Sequence, residues 1–232
     1  MSGPRYALYY APAVDSALWR FGCATLGYDA FTGEEVPFAV PPGCDAQGWP
    51  DRIAEPRRYG FHATLKAPFE LANSRSEGEL RAFARQIALG CTAVPLAGLK
   101  VNSLGRFVAL TPSEPSPALQ ALAFGIVQAF EPFRAPLGQA DLARRLASPL
   151  APAERAHLDA YGYPYIGDAF RFHMTLTGAL PPDEAPAVAA ALAEAYARAV
   201  PAGPVSIDRL ALFRQDDRAG RFRIIDAFTL GR

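Results

Sequence analysis

Lysine is almost missing from this chain. Of its 23 basic residues only Lys66 and Lys100 are lysine, and acidic residues number 23, so the formal net charge is +0. A protein that coats long nucleic acid advertises it with a basic excess. Extended nucleic acid is therefore not the expected partner, and any affinity for phosphate has to come from a local site. The predominance of arginine, beside so much alanine and proline, reads as genome bias rather than as a recognition signal. Cysteine is also scarce. Cys23, Cys44 and Cys91 are odd in number, widely spaced and form no CxxC, which argues against a disulfide framework or a zinc site and for reduced thiols in a cytoplasmic protein. No apolar run reaches the length of a membrane span, and the N-terminus lacks a signal peptide's long apolar stretch. Histidine occurs three times, too few for an evident metal site. No cofactor and no metal are expected.

What is present is the composition of a folded chain. Hydrophobic residues make up 50% and charged residues 20% of 232 residues, enough for a full core. Alternation predicts a strand over Arg5–Ala11. Asp15 and Gly27 bracket a helix from about Ser16 to Leu26. Residues 31–58 are rich in Pro, Gly and acids and read as a long loop, either a lid or a passive excursion. A strand over Tyr59–Phe69, a helix over Glu77–Leu89 and a hairpin through Gly105 follow. Helices are expected over 119–130, 140–146 and 152–160. A strand over Ala169–Ala179, an alanine-rich helix over Ala185–Val200 and two closing strands complete the chain.

The order strand, helix, hairpin thus occurs twice, over residues 59–111 and 169–230. The repeat is visible in the letters: YGFHATLKAPF and FRFHMTLTGAL share Phe-His-x-Thr-Leu in register. A duplicated unit implies a pseudo-twofold arrangement, here an α+β bilobal fold with two antiparallel sheets flanking a central cleft and helices outside. Strand periodicity places His62, Thr64 and Lys66 on one face of the first segment, and Arg171, His173 and Thr175 on one face of the second. The opposite faces are apolar. A pseudo-twofold brings the two polar faces together.

Two imidazoles across a cleft suit phosphodiester cleavage. One removes a proton from the nucleophile and the other protonates the leaving oxygen, both near neutral pH. Thr64 and Thr175 are placed to bind the non-bridging oxygens, and Lys66 and Arg171 to add charge. Tyr59 and the run Tyr161, Tyr163 and Tyr165 precede the two motif strands; the run is either a cleft wall that stacks on a base or sugar or an aromatic loop packed on the core. His157, in a polar helical stretch, reads as a surface residue.

On its motifs His62-Ala63-Thr64-Leu65 and His173-Met174-Thr175-Leu176, the chain resembles the 2H phosphoesterase superfamily, over most of its length. That resemblance implies a bilobal α+β fold, acid–base roles for His62 and His173, phosphate-binding roles for Thr64 and Thr175, and metal-independent action on cyclic phosphodiesters or RNA ends. RYGFHATLKAPF is most similar to an uncharacterised bacterial branch encoded beside phosphonate-degradation genes, which implies a small cyclic sugar phosphate as substrate. The expected protein is a monomer that takes a small-molecule phosphodiester. Two alternatives remain open on sequence: a non-catalytic phosphate-ligand sensor, and an RNA-end phosphodiesterase or ligase. Which histidine is acid and which is base is not readable.

Overall fold

The structure, a computed structural model, describes residues 3–231. In chain order the elements are β1 (Arg5–Tyr10), α1 (Ala17–Leu26), β2 (Tyr28–Asp29), β3 (Glu34–Glu35), α2 (Trp49–Arg57), β4 (Ala63–Glu70), α3 (Glu77–Gly90), β5 (Val94–Leu96), β6 (Leu99–Leu104), β7 (Phe107–Pro112) and α4 (Pro117–Ala129). Then come α5 (Gln139–Arg145), α6 (Pro152–Tyr161), β8 (Met174–Thr175), α7 (Ala185–Ala199), β9 (Val205–Ile207), β10 (Arg209–Gln215) and β11 (Arg223–Thr229). Among the described residues no helix is long and apolar enough to cross a membrane.

Seven strands form one antiparallel sheet in the order β11-β10-β1-β4-β8-β7-β6. The two lobes expected from the repeat are the two halves of this sheet. They meet at a seam of a single register pair, Ala63↔Met174, between the two motif strands. Each lobe mixes the repeats. β4, from the first repeat, sits with β10 and β11 from the second; β8, from the second, sits with β7 and β6 from the first. The helices follow their partners across: α3 packs on β10 and β11, and α7 on β6 and β7. Exchange of hairpins puts the two motifs side by side at the middle of the sheet.

Local chemistry accounts for several boundaries. Ser16, one residue later than the expected Asp15, caps α1 by accepting from Trp19 N, and Gly27 ends it in the left-handed region at φ 65°. The loop expected over 31–58 contains a helix, because Trp49, Ile53 and Pro56 recur on one face and are buried; prolines near each end masked that spacing. The second motif strand, expected over eleven residues, pairs as a strand only at Met174–Thr175. Its side chains still alternate, with Phe170, Phe172, Met174 and Leu176 buried.

The first motif strand breaks its own alternation. Tyr9↔Thr64, Leu8↔Lys66 and Tyr6↔Phe69 are not in one register, so extra residues bulge from β4 on either side of Lys66. Pro68, which has no N–H to give to a ladder, lies within the second shift. Leu65 and Lys66 are consequently both buried; the phase is inverted at Lys66, between the two shifts, and restored at Phe69, which is buried like Ala63 and Leu65.

Candidate active site

His62 stands immediately before β4. Its Nδ1 lies 2.8 Å from Gly60 O. A carbonyl oxygen only accepts, so Nδ1 carries the hydrogen and Nε2 of the neutral ring is left without one. Gly60 makes this possible: its φ is +74°, and a Cβ there would lie 2.8 Å from the Ala30 Cβ. Phe61, fully buried, pins the same turn against Gly22 of α1, where any side chain would meet its ring. The imidazole lies flat on Tyr9, ring centroids 3.8 Å apart, with Tyr59 and Phe213 at 6.1 and 5.9 Å. Burial pulls its pKa down from 6.5 to about 4; the bond to Gly60 opposes this, and the charge of His173 adds to it. His62 is therefore neutral at pH 7. Thr64 Oγ1 is 3.4 Å from Nε2.

His173 repeats the device. It stands immediately before β8, and its Nδ1 donates to Arg171 O, two residues back, at 2.7 Å. Nε2 is again the free nitrogen. Phe107 packs beside the ring at 5.6 Å.

Both imidazoles line one cavity of about 360 Å³, in the range of small-molecule sites. Of the residues expected at the site, Tyr59, Thr64 and Thr175 line it with them. Arg171 and Tyr165 line an adjoining hollow of about 160 Å³ that shares Thr64, Tyr163 and His173 with the main cavity. Arg171 is occupied locally, with Nη1 donating to Asp168 O and Phe170 O at 2.7 and 2.9 Å. Lys66 lines neither. It is 3% exposed, and its Nζ donates to Glu131 Oε2 at 2.9 Å and to Val127 O at 3.0 Å. The bulge turns it under α4 and puts Ala67 and Pro68 on the cavity wall instead. His157, expected on the surface, is half-buried against the turn at Gly167, its Nδ1 without a partner.

Further residues outside the expected set contribute to the wall. Glu55 and Pro56 of α2 form part of the wall, in the segment read as a loop. Thr177, fully buried, accepts from Val108 N at 3.0 Å and donates to Gly178 O at 2.9 Å, holding β7 to the chain beyond β8. Arg145 of α5 supplies the cavity with its guanidinium, 4.5 Å from the ring centroid of Tyr163. Tyr163 is the member of the tyrosine run that reaches the cavity. The adjacent pair Arg144-Arg145 was the available signal, but α5 lies between the repeats, where periodicity gives no position. The cavity thus offers two imidazoles with fixed tautomers, several hydroxyls and one cation: an arrangement able to bind an oxyanion and move protons on two sides of it.

A family model described as "Protein of unknown function (DUF1045)" matches residues 64–223, from the threonine of the first motif through the whole of the second. Two curated proteins named "Ribose 1,5-bisphosphate phosphokinase PhnN" are similar to this chain. The one from Janthinobacterium sp. (strain Marseille) is 37% identical over 215 residues, 91% of this chain and 48% of its own. The one from Laribacter hongkongensis (strain HLHK9) is 34% identical over 220 residues, 95% of this chain and 50% of its own. The chain spans about half the length of the curated relatives it matches. Similar solved structures include E. coli LigT complexed with 3'-AMP, at 13% identity over 100% of both chains with a TM-score of 0.46. Kluyveromyces marxianus Usb1 is another, at 15% identity over 100% of this chain and 99% of that one, TM-score 0.39. The family match covers most of the sequence and includes both motif threonines and His173, and on it the chain belongs to the DUF1045 family.

Proposed function

We propose that the chain is a two-histidine phosphodiesterase of the 2H type that opens a cyclic phosphodiester on a small phosphorylated sugar. The observation that carries this is the duplicated geometry. Two imidazoles line one cavity, and each has Nδ1 tied to the carbonyl two residues before it, so that Nε2 is the nitrogen available for proton transfer.

His62, held neutral by burial, is the base that takes a proton from water. His173 is the acid, giving an Nε2 proton to the leaving oxygen. The water oxygen bonds to phosphorus, the bridging P–O bond breaks, and the product is a phosphomonoester beside a free hydroxyl. His62 ends protonated and His173 neutral, and exchange with solvent resets both. Thr64 and Thr175 donate to the non-bridging oxygens. The chemistry is assigned to protein groups alone, with no metal.

The substrate class has two supports. A cavity of about 360 Å³ suits a sugar phosphate better than a polymer. The curated relatives carry a name that specifies a ribose bisphosphate, and a ribose cyclic phosphate is a chemical neighbour of that compound. The resemblance of RYGFHATLKAPF to a branch encoded beside phosphonate-degradation genes supports a role in phosphonate metabolism.

The test is turnover with EDTA present on a panel of ribose 1,2-cyclic phosphate derivatives, nucleoside 2′,3′-cyclic phosphates and ADP-ribose 1″,2″-cyclic phosphate. Hydrolysis of a panel member, lost in His62→Ala and in His173→Ala, is expected. Tight binding without turnover of any member would contradict the enzymatic assignment and favour a sensor.

A further inference from the structure

We propose that Arg145 holds a second anionic group of the substrate, a phosphomonoester carried by the same molecule as the scissile diester. The inference rests on the diesterase reading of the cavity and adds to it a requirement that the two histidine motifs do not make.

Arg145 is the arginine of the cavity wall, and it is unspent. Among the described residues no carboxylate or carbonyl pairs with its guanidinium, whereas its neighbour Arg144 is bound to Asp141 at 2.7 Å. Its Nε is shut off from solvent and has no acceptor. A buried donor is normally satisfied; among the described residues nothing neutralises this guanidinium, and the residue lines the cavity. The guanidinium is stacked 4.5 Å from the centroid of Tyr163, which fixes its plane and leaves its N–H edges for a bidentate anion. Burial presses its pKa downward, so an anion arriving there meets a cation that water serves poorly.

The position is held rigidly for that task. Asp141, one turn before Arg145 on α5, takes Arg218 at 3.0 and 2.7 Å, and Arg218 also binds Glu70 at the end of β4 at 2.8 Å. That network ties α5 to β4, the strand that His62 immediately precedes. Arg145 is not placed on either motif strand, and the diester already has His173, Thr64 and Thr175 as donors. A cation outside the repeat fits a group outside the reaction.

The experiment is calorimetric titration with ribose 5-phosphate, a monoester probe, against the full chain, Arg145→Gln, Arg145→Lys and the double variant His62→Ala/His173→Ala. Wild-type protein is expected to bind, and Arg145→Gln to lose roughly 10- to 100-fold in affinity, the worth of charge-assisted bonds. Arg145→Lys should recover part of that loss, because it keeps the charge without the fork. The double histidine variant should retain binding. Equal affinity in wild type and Arg145→Gln, no binding to wild type, or a loss confined to the histidine variant would overturn the proposal. A positive titration beside a cyclic-phosphate panel that gives no turnover would leave the anion site standing and sink the diesterase reading, so the two failures are distinct. If both hold, the penalty of Arg145→Gln on kcat/KM is larger for a 5-phosphorylated cyclic substrate than for its dephospho analogue.

Discussion

Tyr9 lies on His62 with the ring centroids 3.8 Å apart and the planes 21° from parallel. Tyr9 is itself 1% exposed, so one face of the imidazole is sealed by a side chain that no water can displace. Burial, to which this contact contributes, keeps His62 neutral more than any charge does, the state the proposed base requires. Desolvation is the leading cause of its lowered pKa, with the charge of His173 a smaller contribution.

The acid limb of the kcat/KM profile should therefore lie near pH 4, well below the ordinary imidazole value of 6.5. In Tyr9→Ser, water reaches the ring and the limb should move up toward 6.5. A pH–rate profile of both proteins measures this. A limb at 6.5 in the wild type, or no movement in the variant, would show that the stacking does not set the protonation state.

The same shift couples pH to stability. Above pH 6.5 His62 is neutral in both folded and unfolded chains and contributes no dependence. Below 6.5 the unfolded chain takes the proton first, so stability falls as pH drops, until the folded form also binds it at about 4. The slope contributed is at most about 1.4 kcal/mol per pH unit. Urea melts between pH 4 and 7 should show that component in the wild type and its disappearance in His62→Asn.

Gly60 should tolerate no replacement. Gly60→Ala forces a side chain into a φ of +74° and against Ala30, a backbone cost of about 1–2 kcal/mol before any clash. The carbonyl that orients Nδ1 would turn with it. A lowered melting temperature together with a loss of kcat is expected; a variant that melts lower but keeps wild-type kcat would show that the Gly60 carbonyl does not set the working tautomer.

Lys66 should behave as a structural residue. Glu131→Gln leaves a buried ammonium with weakened pairing and should cost about 3 kcal/mol or more, read by denaturant unfolding. Lys66→Met removes the charge along with the need for a partner and should cost less. A Lys66→Met variant of unaltered stability that fails to bind substrate would return Lys66 to the cavity.

The repeat and the two motifs were legible because Phe-His-x-Thr-Leu recurs in letters and because period-two burial survives at Phe170, Phe172, Met174 and Leu176 even where ladder bonds are few. Lys66 was misplaced for a local reason: bulges on either side of it invert the strand's phase at that residue alone, and a bulge leaves no mark on an alternating pattern except the neighbouring Pro68. The exchange of hairpins between lobes was also invisible, since it is decided by which sheet edge each hairpin meets. Arg145 escaped for a third reason. Its position depends on the Asp141–Arg218–Glu70 contacts, which join segments far apart in the chain. α2 was hidden by Pro50 and Pro56, which sit where a helix accepts or ends at proline.

The central claim is that both histidines serve one phosphodiester from one cavity. It is tested most directly by kcat/KM of His62→Ala, His173→Ala and the double variant on the cyclic phosphate that the wild type turns over. Each single variant should lose about 10²–10⁴-fold, and the double should fall little below the worse single, because the pair acts as a unit. A single variant that keeps the wild-type rate would contradict the claim, since one imidazole would then be enough.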